Sequence, residues 1–260
     1  MTKTLLALLA ALTILLAGCA APPEAAAPPP APAAPAPPKK AEAASTTFTV
    51  ASINLAGLNR RIEHADIEAL CRAVTREKAD VLAVQSMARY PGVLTRIDPF
   101  PEIAEGTGMR SVFGEMANVS GRQTGNALYS MLPIHSHDVK PYPISSMGFE
   151  SALVGLIDAG AREVAVVSTT IPAGAKSSDV AACGAFLGRL RDSYAPTPMI
   201  ACGNLADPPV IDAKAFQSER AGAARTWFSA EGLRSLGART VQTELGTLTI
   251  TQFRVIAARP

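Results

Sequence analysis

FTVASINL, residues 48–55, alternates apolar with polar positions and is rich in β-forming side chains, so it reads as a strand. Residues 65–74, ADIEALCRAV, then place Ile67, Leu70, Cys71 and Val74 at helical spacing. A helix follows the first strand. DVLAVQ, residues 80–85, is a nearly continuous apolar run, as expected of a strand covered on both faces. Further strands are predicted at 111–114, 126–130, 152–158, 163–170, from 198 to 202, and along the tail from 247 to 258. A second helix is predicted over 180–194, with Ala181, Phe186, Leu187 and Leu190 facing inward. Many strands with few intervening helices predict two packed sheets covered by helices on the outside.

The ends of this domain are set by composition. Of 260 residues, 48% are hydrophobic and 18% charged, which excludes a disordered chain, while nine of the 21 prolines are packed into the stretch before residue 46. A net charge of +2 gives no field for gripping a polyanion, so nucleic acid is not the expected partner on charge grounds. Four cysteines exclude a disulfide-stapled miniprotein. Residues 1–18 begin with Lys3, continue through an apolar run over 5–16 and end in small residues: a signal peptide, too short for a permanent span. Leu16-Ala17-Gly18-Cys19 resembles the bacterial lipobox, which implies cleavage before Cys19 and acylation of that residue. Several acyl chains, at about 0.8 kcal/mol per buried methylene, anchor a protein almost permanently. Ala20 resembles the residue that lets such lipoproteins proceed to an outer membrane. From Cys19 to residue 45 the chain is nearly all Ala and Pro, an extended spacer of about 3 Å per residue. Residues 46–260 then form one domain.

Within that domain the order of short motifs resembles the endonuclease/exonuclease/phosphatase superfamily. Val50-Ala51-Ser52-Ile53-Asn54 looks like its opening strand, with Asn54 as the terminal asparagine that helps hold metal and phosphate. Gly108 to Gly114 is similar to the segment entering the middle strands, and residues 125–134, GNALYSMLPI, look like the family's "GNAILSRYPI" hairpin, with Asn126 retained. The resemblance implies a four-layered α/β sandwich: two packed, mainly antiparallel sheets flanked by helices. It also implies a cleft at one end of the sheets, where family members hydrolyse phosphate esters with Mg²⁺.

The residues that would carry this chemistry depart from the family. Where the family has "LQE", this chain has Val84-Gln85-Ser86, and Ser86 supplies no charge. The family's "THL" is Thr169-Thr170-Ile171, and Thr170 does not titrate near neutral pH. "GDFN" has become Gly203-Asn204-Leu205-Ala206, and Arg225 stands where the late "DYIF"-type strand has an acid. "SDHRP" resembles Thr251-Gln252-Phe253-Arg254, which removes the Asp-His pair. Hydrolysis of this kind needs carboxylates for a hard cation and a base for water. Their joint loss predicts an envelope pseudoenzyme with no cofactor, whose vestigial cleft is lined by Asn54, Ser86, Asn126, Thr170, Asn204 and Gln252. Its partners would be the membrane through the lipid anchor, and a small ligand or envelope protein that sequence does not name.

The competing reading is an Mg²⁺-dependent phosphodiesterase or phosphatase with an atypical site, which needs acids such as Asp207, Asp158 or Glu150 to converge on the cleft. Glu150 resembles the glutamate of a family "E-x-R" pattern whose arginine is here Ala152. A third reading is a partner-binding module that uses the loops alone. His135 and His137 read as surface residues, as does His64 before the first helix, because no Cys or carboxylate cluster accompanies them. Cys71, Cys183 and Cys202 read as small core hydrophobes, with a Cys71–Cys183 or Cys183–Cys202 bridge left open.

Overall fold

The computed structural model describes residues 46–56, 58, 60–89, 97–144, 148–171, 174–205, 216–221 and 224–257. The signal peptide, Cys19 and the Ala/Pro spacer lie outside the described residues, as does Asp207.

The opening strand is β1 (Thr47–Asn54), followed by α1 (His64–Arg76) and β2 (Val81–Arg89). β1 and β2 pair in parallel, from Val50 opposite Val81 to Asn54 opposite Gln85. Apolar spacing places α1 over this pair, burying Ile67, Leu70, Cys71 and Val74. Asp66 fixes the start of α1: it accepts the Glu63 N–H at 2.9 Å and two guanidinium nitrogens of Arg60 at 2.6 and 2.8 Å. That guanidinium holds the Asp66 carboxyl below the usual carboxylate range.

A short helix α2 (Pro99–Thr107) precedes the hairpin of β3 (Arg110–Val119) and β4 (Arg122–Ser130). Asp98 caps α2 by accepting the Phe100 N–H, Pro99 occupies its first turn, and Gly108 ends it at φ 70°. β5 (Ile134–Ile144) and β6 (Gly148–Asp158) form the next hairpin, and a second β-α-β unit follows: β7 (Glu163–Ser168), α3 (Ser177–Tyr194) and β8 (Met199–Gly203). The chain ends with two antiparallel pairs, β9 (Phe216–Ala221) with β10 (Ala224–Ser229), and β11 (Leu233–Thr243) with β12 (Gly246–Val255).

These strands make two six-stranded sheets, ordered β11-β12-β1-β2-β4-β3 and β5-β6-β7-β8-β10-β9. Each has the same grammar: a central parallel pair joined through a helix, flanked on either side by an antiparallel hairpin. The topology is thus repeated although no repeat is visible in the sequence. Three apolar layers hold it together. One lies under α1 and α2 (Leu70, Leu82, Ile103, Tyr129), one between the sheets (Phe48, Val81, Val166, Ile200, Phe228, Phe253) and one under α3 (Val154, Val167, Leu187, Trp227). This is the four-layered α/β sandwich expected from the sequence, with one parallel pair inside each mainly antiparallel sheet.

The three described cysteines are free, and each occupies a different layer. A sheet separates Cys71 from Cys202 and Cys202 from Cys183, and layers about 10 Å apart exceed the reach of a disulfide. Neither bridge left open by the sequence is formed. Burial pushes the Cys202 thiol up to about 12 and Cys183 up to about 11, so both are inert core groups.

Candidate functional site

Parallel pairing puts the C-terminal ends of β1 and β2 side by side, and does the same for β7 and β8. Face-to-face packing of the sheets then brings all four ends to one edge of the sandwich. Asn54 at the end of β1 donates through Nδ2 to Thr170 Oγ1, just beyond β7, at 3.1 Å, and its Oδ1 accepts the Ala56 N–H at 2.9 Å. Gln85 is fully buried between the sheets. Its Nε2 donates to Ser168 Oγ at 3.0 Å and lies 3.5 Å from the Cys202 carbonyl, while Oε1 accepts from Ser52 Oγ at 3.3 Å.

Close approach of β8 to β7 completes the edge. Gly203 adopts φ 143°, and a Cβ there would lie 1.8 Å from the Thr169 carbonyl oxygen. The Thr169 N–H donates to the Cys202 carbonyl at 3.2 Å, and the Ile171 N–H to the Asn204 carbonyl at 3.1 Å. Asn204 therefore stands exposed beside Gln85, and the two enclose, with Ser52, Asn54, Thr247 and Thr249, a cavity of about 260 Å³.

A second polar cluster adjoins it. Ser86 sits at φ 56° where β2 bulges against β4, so its backbone N–H turns to Asn126 Oδ1 at 3.3 Å. Asn126 Nδ2 donates to the Ser151 carbonyl at 3.0 Å, which also accepts from Thr169 Oγ1 at 3.0 Å. Tyr142 closes the cluster by donating to the Thr170 carbonyl at 2.9 Å. Burial drives its phenol far above the ordinary range, so it remains a neutral donor.

Of the six cleft residues expected from the sequence, Asn54, Ser86, Asn126, Thr170 and Asn204 meet at this edge; Gln252 does not. β12 runs antiparallel to β1, so Gln252 pairs with Thr49, and its Nε2 reaches Thr49 Oγ1 at 3.5 Å. Five residues at about 3.3 Å each separate Thr49 from Asn54. The part of β12 that faces the cavity is Thr247 and Thr249, the latter opposite Ser52. The motif at 251–254 is therefore displaced along the strand from the edge it was expected to reach. Gln85, rather than Ser86, supplies the cavity wall, because the register sets Gln85 opposite Asn54 and the bulge turns Ser86 toward Asn126.

Of the acids weighed for an atypical site, the two that are described, Asp158 and Glu150, do not line the cavity. Asp158 lies at the far end of β6, opposite Glu163, and accepts the Gly160 N–H at 2.9 Å. Glu150 is 5% exposed and pairs in register with Tyr142, accepting the Ser151 N–H at 3.1 Å. Burial raises the Glu150 carboxyl above its ordinary value. A carboxyl raised in the fold costs stability as pH rises from its unfolded value, about 4.3, through the folded one. Glu150→Gln is therefore expected to stabilise the domain by about 1 kcal/mol at pH 7, roughly 2–4 °C, and to match the wild type near pH 4, by thermal denaturation at both values.

His64 Nδ1 lies 2.8 Å from Glu102, and His135 Nδ1 2.5 Å from Glu163, both at the surface. Among the described residues no three His, Cys, Asp or Glu side chains gather as a metal site would require.

Three solved structures share this architecture at low sequence identity. An endonuclease/exonuclease/phosphatase from Beutenbergia cavernae has a TM-score of 0.62 at 14% identity, over 81% of this chain and 72% of that one. One from Bacteroides vulgatus has a TM-score of 0.64 at 6% identity, over 81% of this chain and 100% of that one. The human nocturnin catalytic domain, with a bound sulfate anion, gives 0.61 at 14%, over 81% and 94%. The domain has the endonuclease/exonuclease/phosphatase fold. No protein-family model matches the sequence, and no curated protein is significantly similar to it.

The chemistry of the endonuclease/exonuclease/phosphatase fold implies a magnesium ion, and the described lining does not fit one. Mg²⁺ is held by carboxylate and phosphate oxygens in near-octahedral geometry. Here the side-chain oxygens are the amides of Asn54, Gln85 and Asn204 and the hydroxyls of Ser52, Thr247 and Thr249, with no carboxylate among them. The Asn54 and Gln85 carbonyls already accept protein hydrogen bonds. What this lining can do is hydrogen-bond a neutral or anionic group. Ser52 and Gln85 were legible in principle as polar positions in otherwise apolar strands; Thr247 and Thr249 were not, because only pairing with β1 places them at the edge.

Proposed function

We propose that this chain is an acylated envelope lipoprotein whose domain, of endonuclease/exonuclease/phosphatase fold, binds or scaffolds without catalysing hydrolysis. One observation carries the reading: where the parallel pairs of both sheets converge, the described lining is neutral throughout. A neutral lining offers neither the charge that holds a hard cation nor a base that activates water. The lipobox-like run ending at Cys19 and the spacer to residue 45 support a tether holding the domain off a membrane, by way of the outer-membrane arrangement implied by Ala20. Binding partners are then the membrane, through the anchor, and a small ligand or envelope protein at the domain.

Two measurements test the reading. The full chain in detergent, with Mg²⁺ or Mn²⁺, is expected to turn over bis-p-nitrophenyl phosphate, plasmid DNA and sphingomyelin no faster than buffer. Turnover abolished by EDTA would establish the metal-dependent phosphoesterase instead. Intact mass of the chain from membranes is expected to begin at Cys19 and carry acyl chains; an unmodified Cys19 would remove the anchor from the account.

A further inference from the structure

We propose that the end of the domain where the chain enters β1 docks on an anionic lipid bilayer, its unpaired arginine and lysine side chains meeting the headgroups and its exposed apolar side chains entering the interface. This rests on the tethered reading of Cys19 and gives the domain a membrane-facing end. Among the described residues four large apolar side chains are exposed: Val119, Met131, Leu236 and Ile256. Three of them gather at one end. The Met131 N–H donates to the Asp80 carbonyl and the Ile256 N–H to that of Gly232, while the Val255 N–H donates to the carbonyl of Thr46, the first described residue. Leu236 is the bulged residue of β11, two positions beyond Arg234. Val119 stands near the turn of the β3–β4 hairpin, past the row of Asn54 and Gln85, and so at the opposite end.

Charge follows the same division. Arg254 pairs in register with Thr47 on one side and Arg234 on the other, so two exposed arginines stand opposite each other beside the point of entry. Like charges so placed repel, and an anion from outside relieves them. Exposed Lys78 lies just before Asp80, whose N–H donates to the Thr49 carbonyl, and exposed Arg110 is level with Ser130, next to Met131. None of these four cations makes an ion pair among the described residues. Of the acids around them, Glu77 is taken by Arg76 and Arg239, Asp80 accepts the Thr49 N–H at 2.8 Å, and Glu231 stands exposed. At the same end of the second sheet the charges are matched, His135 with Glu163 and Arg191 with Asp192. The spacer from Cys19 joins the domain at this end, so an anchored chain holds it at high effective concentration beside the lipid. Contacts too weak to recruit a free protein then suffice, and this favours the bilayer over a protein partner. Docking also orients the cleft: β1 runs from Thr47 at this end to Asn54, which leaves the cavity about 23 Å further from the lipid, open to the aqueous phase.

The test uses the full chain reconstituted in vesicles of phosphatidylethanolamine with phosphatidylglycerol, and in vesicles of phosphatidylcholine alone. Met131→Cys and Val119→Cys, at positions 56% and 70% exposed, each receive an environment-sensitive nitrobenzoxadiazole fluorophore; the three described cysteines are buried and do not compete for it. With phosphatidylglycerol the label at 131 is expected to brighten and shift to the blue, and the label at 119 to match its spectrum in detergent. Each cation near an anionic surface shifts the docked-to-free ratio about fivefold, so Arg234→Gln with Arg254→Gln is expected to lower it about 25-fold. Removing a repulsive pair is expected to leave the melting temperature unchanged or higher, which separates lost docking from lost folding. Labels that respond alike, or a label at 131 that responds equally in phosphatidylcholine, overturn the proposal. So does a label at 131 that shifts only when outer-membrane proteins are reconstituted alongside, which would assign this end to a protein. Intact mass of the same sample reads acylation separately: an unmodified Cys19 removes the anchor, while the label at 131 on added phosphatidylglycerol vesicles still decides whether this end meets lipid.

Discussion

Gly203→Ala is expected to lower the melting temperature by roughly 10 °C or to prevent folding, by circular dichroism of the purified chain. The cause is geometric. Gly203 holds φ 143°, and an added Cβ would sit 1.8 Å from the Thr169 carbonyl oxygen and 3.0 Å from its carbon. Both atoms are backbone, so no side-chain rotation relieves the clash. The Thr169 N–H donates to the Cys202 carbonyl at 3.2 Å, and the strands can separate only by breaking that bond. Strained backbone costs about 1–3 kcal/mol and overpacking a further 1–3. Their sum, at about 2–4 °C per kcal/mol for a domain of this size, gives the expected shift. Gly188 is the control: in α3 a Cβ there meets nothing within 4 Å, and alanine is expected to be neutral or stabilising by up to about 1 kcal/mol. If Gly203→Ala melts within 3 °C of the wild type, the close approach that builds the cavity wall is wrong.

The same residue shows why fold and site were unequally legible. The runs at 48–55, 80–85, 163–170 and 198–202 fall on β1, β2, β7 and β8, the central parallel pairs of the two sheets. Such strands are buried on both faces or alternate cleanly, so composition alone reveals them. Of the flanking strands, β3, β4, β6 and β12 also fall on predicted runs, whereas β5, β9 and β11 gave no such signal. β5 contains Pro141 and Pro143, which count against a strand until it is seen to lie at the edge of its sheet. β11, also at an edge, carries mainly exposed or half-buried positions, so its register with β12 leaves little apolar pattern. α2, PFPEIAEGT, is nine residues long with two prolines and a glycine near its end, and buries only Pro99 and Ile103. At the site, alternation tells which face a residue takes but not how far along the strand it stands. Gln252 and Thr249 differ in how far along β12 they stand, and Gln85 and Ser86 are told apart only by a bulge.

Gln85→Glu is expected to destabilise the domain by about 4 kcal/mol at pH 8 and to leave it close to wild type near pH 4, measured by urea unfolding at both values. The two side chains have nearly the same shape, so packing is held constant and only charge changes. In the wild type the amide Nε2 donates to Ser168 Oγ at 3.0 Å and points to the Cys202 carbonyl at 3.5 Å. A carboxylate there has no proton for either, turns lone pairs against the carbonyl, and lies where the residue has no exposed surface. A fully buried carboxyl can be raised by 3–5 units, and 3 units at 1.36 kcal/mol each give the figure of about 4 kcal/mol. Because the folded value lies above the unfolded one, the penalty is absent below about pH 4 and grows as pH rises from the unfolded value toward the folded one. Once protonated, the introduced carboxyl can again donate to Ser168, which is why acid restores stability. The substitution also probes the function. If millimolar Mn²⁺ reversed the loss at pH 8, the stabilisation would follow from binding to the folded state alone. The edge would then be one carboxylate short of a metal site. Without such rescue, one added carboxylate does not suffice to hold the ion at this edge.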